Sequence, residues 1–363
     1  MADGQPAPPD LHHHGDQEVG PGLVDLAVNV RGPAPEWLRA RLVAAVDDLA
    51  AYPDPTAALQ AIAARHGRAT DEVLVTAGGA EAFTLLARAL RPGVDVRHAV
   101  VVHPQFTEPE AALAAAGHHV DRLLLRAADG FTLDPARVPD TADLVVLGNP
   151  TNPTSVLHPA DVVRALLRPD RTVVVDEAFM DAVPGEQESL AAESGTPGLV
   201  VVRSLTKTWG LAGLRAGYLL GDAALVRRCA SAQPPWSVSS LAAVAAVACS
   251  APRAVAEAER AAEELVDRRA HLLAALGRLG LDPVQPAAAP FVLVPVPDGL
   301  AVRQALRDNG FAVRRCDTFP GLGPDWLRLA VRSEEVTDAF TKALGTALEA
   351  ALADARPMPP ESR

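Results

Sequence analysis

Short apolar runs, each closed by a turn former or a polar residue, recur along the first two thirds of the chain. Val73–Thr76, 98–103, 143–147, Thr172–Asp176 and 198–202 are all of this kind. Runs without polar alternation predict strands buried on both faces, as in a parallel sheet covered by helices. Between them lie segments with helical spacing: Leu38, Leu42, Val43, Val46 and Leu49 within 37–51, the stretch 80–90 behind a glycine turn at 77–79, and a shorter piece at 162–167. This alternation predicts an α/β architecture. The alanine-rich run 241–249 ends at Pro252 and reads as a buried helix, and the pattern then changes. A long helix of charge and alanine over 252–279 leads to strands at 291–296, 311–315 and 326–331, with helices at 300–309 and 334–352, the pattern of a smaller α+β unit. The expected organisation is an arm and helix over 1–51, a large domain over 52–250 and a small domain over 251–363, with 1–10 loose and 355–363 frayed.

Length and charge narrow the classes. A chain of 363 residues exceeds what one compact core usually holds. A formal charge of -12 without a basic run argues against nucleic acid and against an anionic membrane surface, and leaves small molecules as partners. Run 241–249 is far short of the ~20 residues a bilayer span needs. Cys229, Cys249 and Cys316 are far apart and in no metal-ligand spacing, so they read as packing residues in a reducing compartment. The first ten residues have no charged and apolar leader pattern, and a cytoplasmic protein is expected. His12, His13 and His14 invite a metal, but adjacent side chains diverge.

Candidate chemistry centres on Lys207, which follows the run 198–202 and so leaves the end of a strand, where ligands of open α/β sheets gather. Most lysines are surface groups. This one stands with Ser204, Thr206 and Arg215, an anion-binding set whose arginine pushes the amine toward its neutral, nucleophilic form. A P-loop is excluded, because Thr206 and Val201 occupy its glycine positions, and Gly210, Gly213 and Gly217 follow the lysine instead of opening a dinucleotide fold. The strand, glycine turn and helix over 73–90 present free N–H groups and a positive dipole end to an anion. Asp176 closes a run of buried valines, which is costly unless a cation meets it. Arg328, inside an apolar strand, needs an anion; a carboxylate ligand and an internal salt bridge both satisfy that.

The segments S-L-T-K-T-W-G-L-A-G-L-R-A-G-Y around Lys207, N-P-T-N-P-T from Asn149 and D-E-A-F from Asp176 resemble fold-type I pyridoxal-phosphate enzymes of the class I/II aminotransferase superfamily. The resemblance is greatest to histidinol-phosphate aminotransferases and to threonine-phosphate decarboxylases of cobalamin biosynthesis, and its motifs run in family order from about His14 to Arg332. It implies a large domain with a mostly parallel seven-stranded sheet flanked by helices, a smaller α+β domain, pyridoxal 5'-phosphate as cofactor and a homodimer. Lys207 would carry the Schiff base. Ser204, Thr206 and Arg215, with Gly79, Ala80 and Glu81, would hold the cofactor phosphate. Asp176 would meet the ring nitrogen, Asn152 the phenolic oxygen, and Phe106 would stack on the ring. Tyr52 would reach the neighbouring subunit's cofactor. Arg328 would hold a substrate carboxylate, with Asn29, Arg31, His14, Arg332 and Trp236 also near substrate.

Three features lean toward the decarboxylase branch: His14-Gly15, Phe179 where aminotransferases have tyrosine, and Pro235-Trp-Ser-Val238. The expectation is therefore a threonine-phosphate decarboxylase-like enzyme acting on a phosphorylated amino acid. The alternative is an aminotransferase of the histidinol-phosphate type using 2-oxoglutarate. A cofactor-binding regulator would carry an added DNA-binding domain, for which this acidic chain shows no basic segment.

Overall fold

A computed structural model describes residues 10–354; the stretches expected to be a loose tail and a frayed end lie largely outside that range. The chain enters through strand β1 (Val24–Leu26) and helix α1 (Glu36–Ala44). The single helix expected over 37–51 is thus shorter and continues as a 3-10 turn at Ala45–Asp48. Its apolar stripe is only partly a core face: Leu38 is buried, whereas Val43 is 70% exposed and Val46 and Leu49 49% each.

Helix α2 (Thr56–His66) then leads into β2 (Val73–Thr76), and α3 (Gly79–Ala89) follows directly. Next come β3 (Ala99–His103), α4 (Glu108–Ala115), β4 (Val120–Leu124), β5 (Leu144–Gly148), α5 (Ala160–Arg164), β6 (Thr172–Asp176), β7 (Leu199–Ser204) and β8 (Gly217–Leu220). These strands form one sheet in the order β2-β8-β7-β6-β5-β3-β4. Neighbours from β7 through β4 pair in parallel, and β8 alone runs against both its partners. The predicted seven-stranded α/β sheet is present. Residues of β2, β3, β5, β7 and β8 are buried throughout, as their apolar runs require, while edge strand β4, V-D-R-L-L, is largely exposed and gave no run to read.

Two apolar layers cover the sheet. Helices α3, α4 and α6 (Ala223–Ala232) pack together on one face, whose core includes Phe83, Leu86, Val101 and Val200. Helices α2 and α7 (Ser240–Ser250) pack on the other, over Ile62, Val145, Val175 and Val201. Side-chain caps fix the starts: Asp222 accepts from Ala224 N and Leu225 N at 3.0 and 2.9 Å, and Ser239 from Ala242 N at 3.1 Å.

Beyond Pro252 the long α8 (Pro252–Arg278) crosses to a second sheet, made by β9 (Phe291–Pro295), β10 (Phe311–Arg315) and β11 (Trp326–Ala330), with α9 (Gly299–Asp308) and α10 (Glu334–Asp354) on it. Strand β1 joins this sheet beside β10, in the order β1-β10-β11-β9, so the arm is built into the small sheet. The three cysteines are free and buried.

Candidate active site

Between the carboxyl ends of β5, β6 and β7, the start of α3, the arm and the small sheet lies a cavity of about 490 Å³. Twelve of the residues singled out in the sequence line it: Lys207, Asp176, Asn152, Phe106, Ser204, Thr206, Arg215, Gly79, Ala80, Arg328, Asn29 and His14. Parallel strands put their carboxyl ends on one edge, which is why residues so far apart in sequence converge.

One corner is built for an anion. Ser204 Oγ lies 2.7 Å from Thr206 Oγ1, and both border the amino-terminal end of α3. Gly78, at φ +83°, ends the turn before that helix, and a Cβ there would stand 2.8 Å from Arg215 Nη2. The missing side chain is what lets the guanidinium lie against the helix start. Two hydroxyls, a guanidinium and the free N–H groups of a helix terminus together favour a phosphate.

Asp176 and Lys207 face the same space. Burial pushes the Asp176 carboxyl up to about 6, opposed by the N–H of Ala178, which donates at 3.0 Å, and by the charge of Lys207. The Lys207 amine is brought down to about 8, first by burial, then by the charges of Arg328 and Arg215, with Asp176 and Asp16 opposing. The sequence pointed to Arg215 as the depressing group; burial outranks it, because the loop is covered by the arm, whose Arg31 N donates to Lys207 O at 3.0 Å.

Arg328 is buried and no carboxylate among the described residues pairs with it, so the internal salt bridge does not hold. Its Nη1 donates to Asn152 Oδ1 at 2.5 Å, Nη2 donates to Ala27 O, and Nε has no partner. Burial, followed by the charge of Arg314, brings its guanidinium down to about 9.

Arg314 was not singled out in the sequence, yet it lines the cavity, buried. In the β10–β11 ladder it is the direct partner of Arg328. It donates to Thr318 Oγ1 and His13 O at 2.7 Å each, and Glu18 Oε1 stands 3.7 Å away. Like charges directly opposite on a sheet repel, so the pair calls for an anion between or beside them. The signal was the phase of F-A-V-R-R, in which only one of the two arginines can share a face with Ala312. Glu108 was missed too; it bonds His14 Nε2 at 2.8 Å at the cavity wall.

Five expected residues are not brought in. Glu81 turns back on its own helix, accepting from Ala77 N at 2.6 Å and Gln233 Nε2 at 3.2 Å, as an acid in a first helical turn does. Arg31 and Arg332 line a smaller cavity of about 110 Å³ between α8 and the arm, which adjoins the first because Lys207, Asn29 and Phe179 border both. There Arg31 lies 4.0 Å from Glu264, while Arg332 donates to Asp25 O and Val28 O at 2.7 Å each, tying down the arm. Tyr52 and Trp236 stack on each other at 4.4 Å and 24°, being 76% and 60% exposed, so the tryptophan shapes no pocket within this subunit.

Comparison with known proteins agrees with this geometry. The family model described as aminotransferase class I and II matches residues 21–344. A histidinol-phosphate aminotransferase of Mycobacterium tuberculosis is 51% identical over 326 residues, covering 89% of this chain and 87% of the relative. A threonine-phosphate decarboxylase of Salmonella typhimurium is 31% identical, covering 90% and 91%. The crystal structure of L-threonine-O-3-phosphate decarboxylase from Porphyromonas gingivalis superposes with a TM-score of 0.80 at 26% identity, covering 90% of this chain and all (100%) of that one. With a lysine, an acid and an anion corner gathered at the strand ends, and a match over most of its length, the chain belongs to the class I and II aminotransferases, which work with pyridoxal 5'-phosphate.

Proposed function

We propose that the protein is an aminotransferase that moves an amino group between a phosphorylated amine, of the histidinol-phosphate kind, and a dicarboxylate such as 2-oxoglutarate. The observation that carries this reading is the Arg314–Arg328 pair, two buried guanidiniums opposite each other in one ladder and facing one cavity. Arg314 has Glu18 at 3.7 Å while Arg328 has no carboxylate among the described residues, so one ligand acid group answers Arg328, and a phosphate or a dicarboxylate, taken in turn, has further oxygens to offer Arg314. The 51% identity to a histidinol-phosphate aminotransferase supports the same order of preference, the reverse of the one drawn from sequence motifs.

The residues fit the coenzyme. Ser204, Thr206, Arg215 and the α3 start at Gly79 and Ala80 suit its phosphate; Asp176, buried without a cationic partner in hydrogen-bond reach, suits its ring nitrogen; Asn152 suits its phenolic oxygen and Phe106 its face. When bound, pyridoxal phosphate supplies an aldehyde for amine exchange and a charged ring that accepts electron density from the substrate α-carbon. Lys207 Nζ is the amine that holds it and, once displaced, the base that carries the α-proton, a task suited to a group titrating near pH 8. Arg328 orients the substrate acid group, and His14 stands at the wall with its Nε2 on Glu108. A second copy of the chain covers the exposed Val43, Val46, Leu49, Tyr52 and Trp236, and Tyr52 then serves the partner's site.

Decarboxylation remains a second reading on one observation. At Phe179 there is no hydroxyl; the ring packs edge-on against Phe291 at 5.0 Å, and the site resembles that branch of relatives in this respect. The purified enzyme, given histidinol phosphate and 2-oxoglutarate, is expected to form glutamate only when both are present. Carbon dioxide released from threonine phosphate without any keto acid would reverse the two readings.

A further inference from the structure

Beneath the strand ends that carry Asp176 and Lys207 lies a buried ionic cluster that no step above uses. Arg203, only 1% exposed, precedes Ser204 on β7 and points to the opposite side of the sheet from it. Glu177, 0% exposed, follows Asp176 on β6 and likewise turns under the sheet. Arg203 Nη1 donates to Glu177 Oε2 at 2.9 Å, and Nη2 donates to Asp181 Oδ1 at 2.9 Å and Glu186 Oε2 at 2.7 Å. Ser189 Oγ and Leu190 N complete Glu177 at 2.6 and 2.7 Å, and Arg65 meets Glu186 at 3.0 Å.

We propose that Arg203 is a positioning residue: by bridging to Glu177 it ties the ends of β6 and β7 to each other from below, and so holds Asp176 at a fixed place relative to Ser204, Thr206 and Lys207. The ladder alone carries this tie only to its last rung, where Asp176 pairs with Val202 and Glu177 N donates to Val202 O at 2.9 Å. Beyond that rung β7 runs on to Ser204 paired with β8 and no longer with β6. The ion pair is the side-chain link where the ladder ends, and in a buried setting it is rigid because both partners lose heavily if separated. It also has an electrical consequence: Glu177 is one of the charges that raise the Asp176 carboxyl, so its compensation by Arg203 limits that rise.

The inference rests on the assignment of Asp176 to the coenzyme ring nitrogen, and the test separates the two. Holoenzyme is reconstituted with coenzyme labelled with 15N at the ring nitrogen, whose chemical shift reports protonation at that atom, and coenzyme affinity is measured by absorbance titration. Glu177→Gln leaves two guanidiniums facing two carboxylates, Asp181 and Glu186, and is expected to fold with a lowered melting temperature, the coenzyme readings being taken well below it. It should weaken coenzyme binding about tenfold and lower the pH at which the ring nitrogen loses its proton by about half a unit or more. Glu186→Gln removes the same charge from the same guanidinium without touching β6, and should change neither reading. If Glu177→Gln fails to fold, Arg203→Lys, which keeps the charge but not the fork, carries the same expectation. Wild-type values in Glu177→Gln, or an equal shift in Glu186→Gln, overturn the proposal. Asp176→Asn is run beside them: if it leaves the 15N signal unchanged, the assignment of Asp176 falls and the positioning role with it.

Discussion

Burial moves Lys207 down and Asp176 up from the values they have in water, and each shift has a measurable consequence. Replacing Lys207 by alanine removes the only amine among the described residues that line the cavity and should lower turnover by about a thousandfold or more, with loss of the yellow absorbance of the lysine-bound coenzyme. Asp176 is expected to cost the coenzyme-free protein stability, since its carboxyl is raised from 3.8 to about 6. Well below its unfolded value the acid is protonated folded or unfolded and costs nothing; the unfolded chain loses the proton first as pH rises, so the penalty grows and is complete above the folded value, reaching about 3 kcal/mol. Apoprotein carrying Asp176→Asn should therefore melt higher than wild type at pH 8, with the difference closing as pH falls to about 3, while binding coenzyme more weakly. The opposite order at pH 8 would mean that the acid has an internal cationic partner after all.

At the scale of elements, the site is three strand ends, one helix start and one cross-strand pair. Glu18 offsets part of the repulsion between Arg314 and Arg328, and an anion in the cavity offsets more, so added phosphate should raise the melting temperature of the wild type, and Arg314→Gln should lose part of that response, the corner at Arg215 keeping the rest. The same variant should raise KM for the phosphorylated substrate by about ten- to a hundredfold, with kcat less affected. Elements with uniform burial were readable: β2, β3, β5, β6 and β7 appeared as unbroken apolar runs because both faces are covered. Strand β4 was not, since an edge strand with Asp121 and Arg122 carries no such run, and α4, E-P-E-A-A-L-A-A, has no apolar stripe to see. Lys207, Asp176 and Asn152 were legible because their local sequence is distinctive. Arg314 was not, because facing inward is a property of the strand's phase, and Glu81 misled because a helix-capping acid and a phosphate-loop acid look alike in sequence.

For the whole molecule, apolar side chains without a cover are the main feature outside the cavity. Val43, Val46, Leu49 and the stacked Tyr52 and Trp236 stand exposed around the junction of α1 with the large unit. A chain of 37.9 kDa should sediment at twice that mass. Val46→Glu together with Leu49→Glu should shift it toward the monomer and weaken coenzyme binding in parallel, whereas Tyr52→Ala should weaken coenzyme binding and leave the dimer intact. A monomer with full coenzyme affinity would remove Tyr52 from the site.

The pairing of β1 with β10 also sets the order in which a growing chain can acquire its active centre. Val24, Asp25 and Leu26 find their partners only at Phe311, Ala312 and Val313, and Arg328 is made later still. During synthesis the seven-stranded sheet can close while β1 has no strand to pair with, and before Arg328, one of the charges that lower the Lys207 amine, has been made. The surroundings of Lys207 are therefore completed only after the strand that carries Arg328 has been made, more than a hundred residues later.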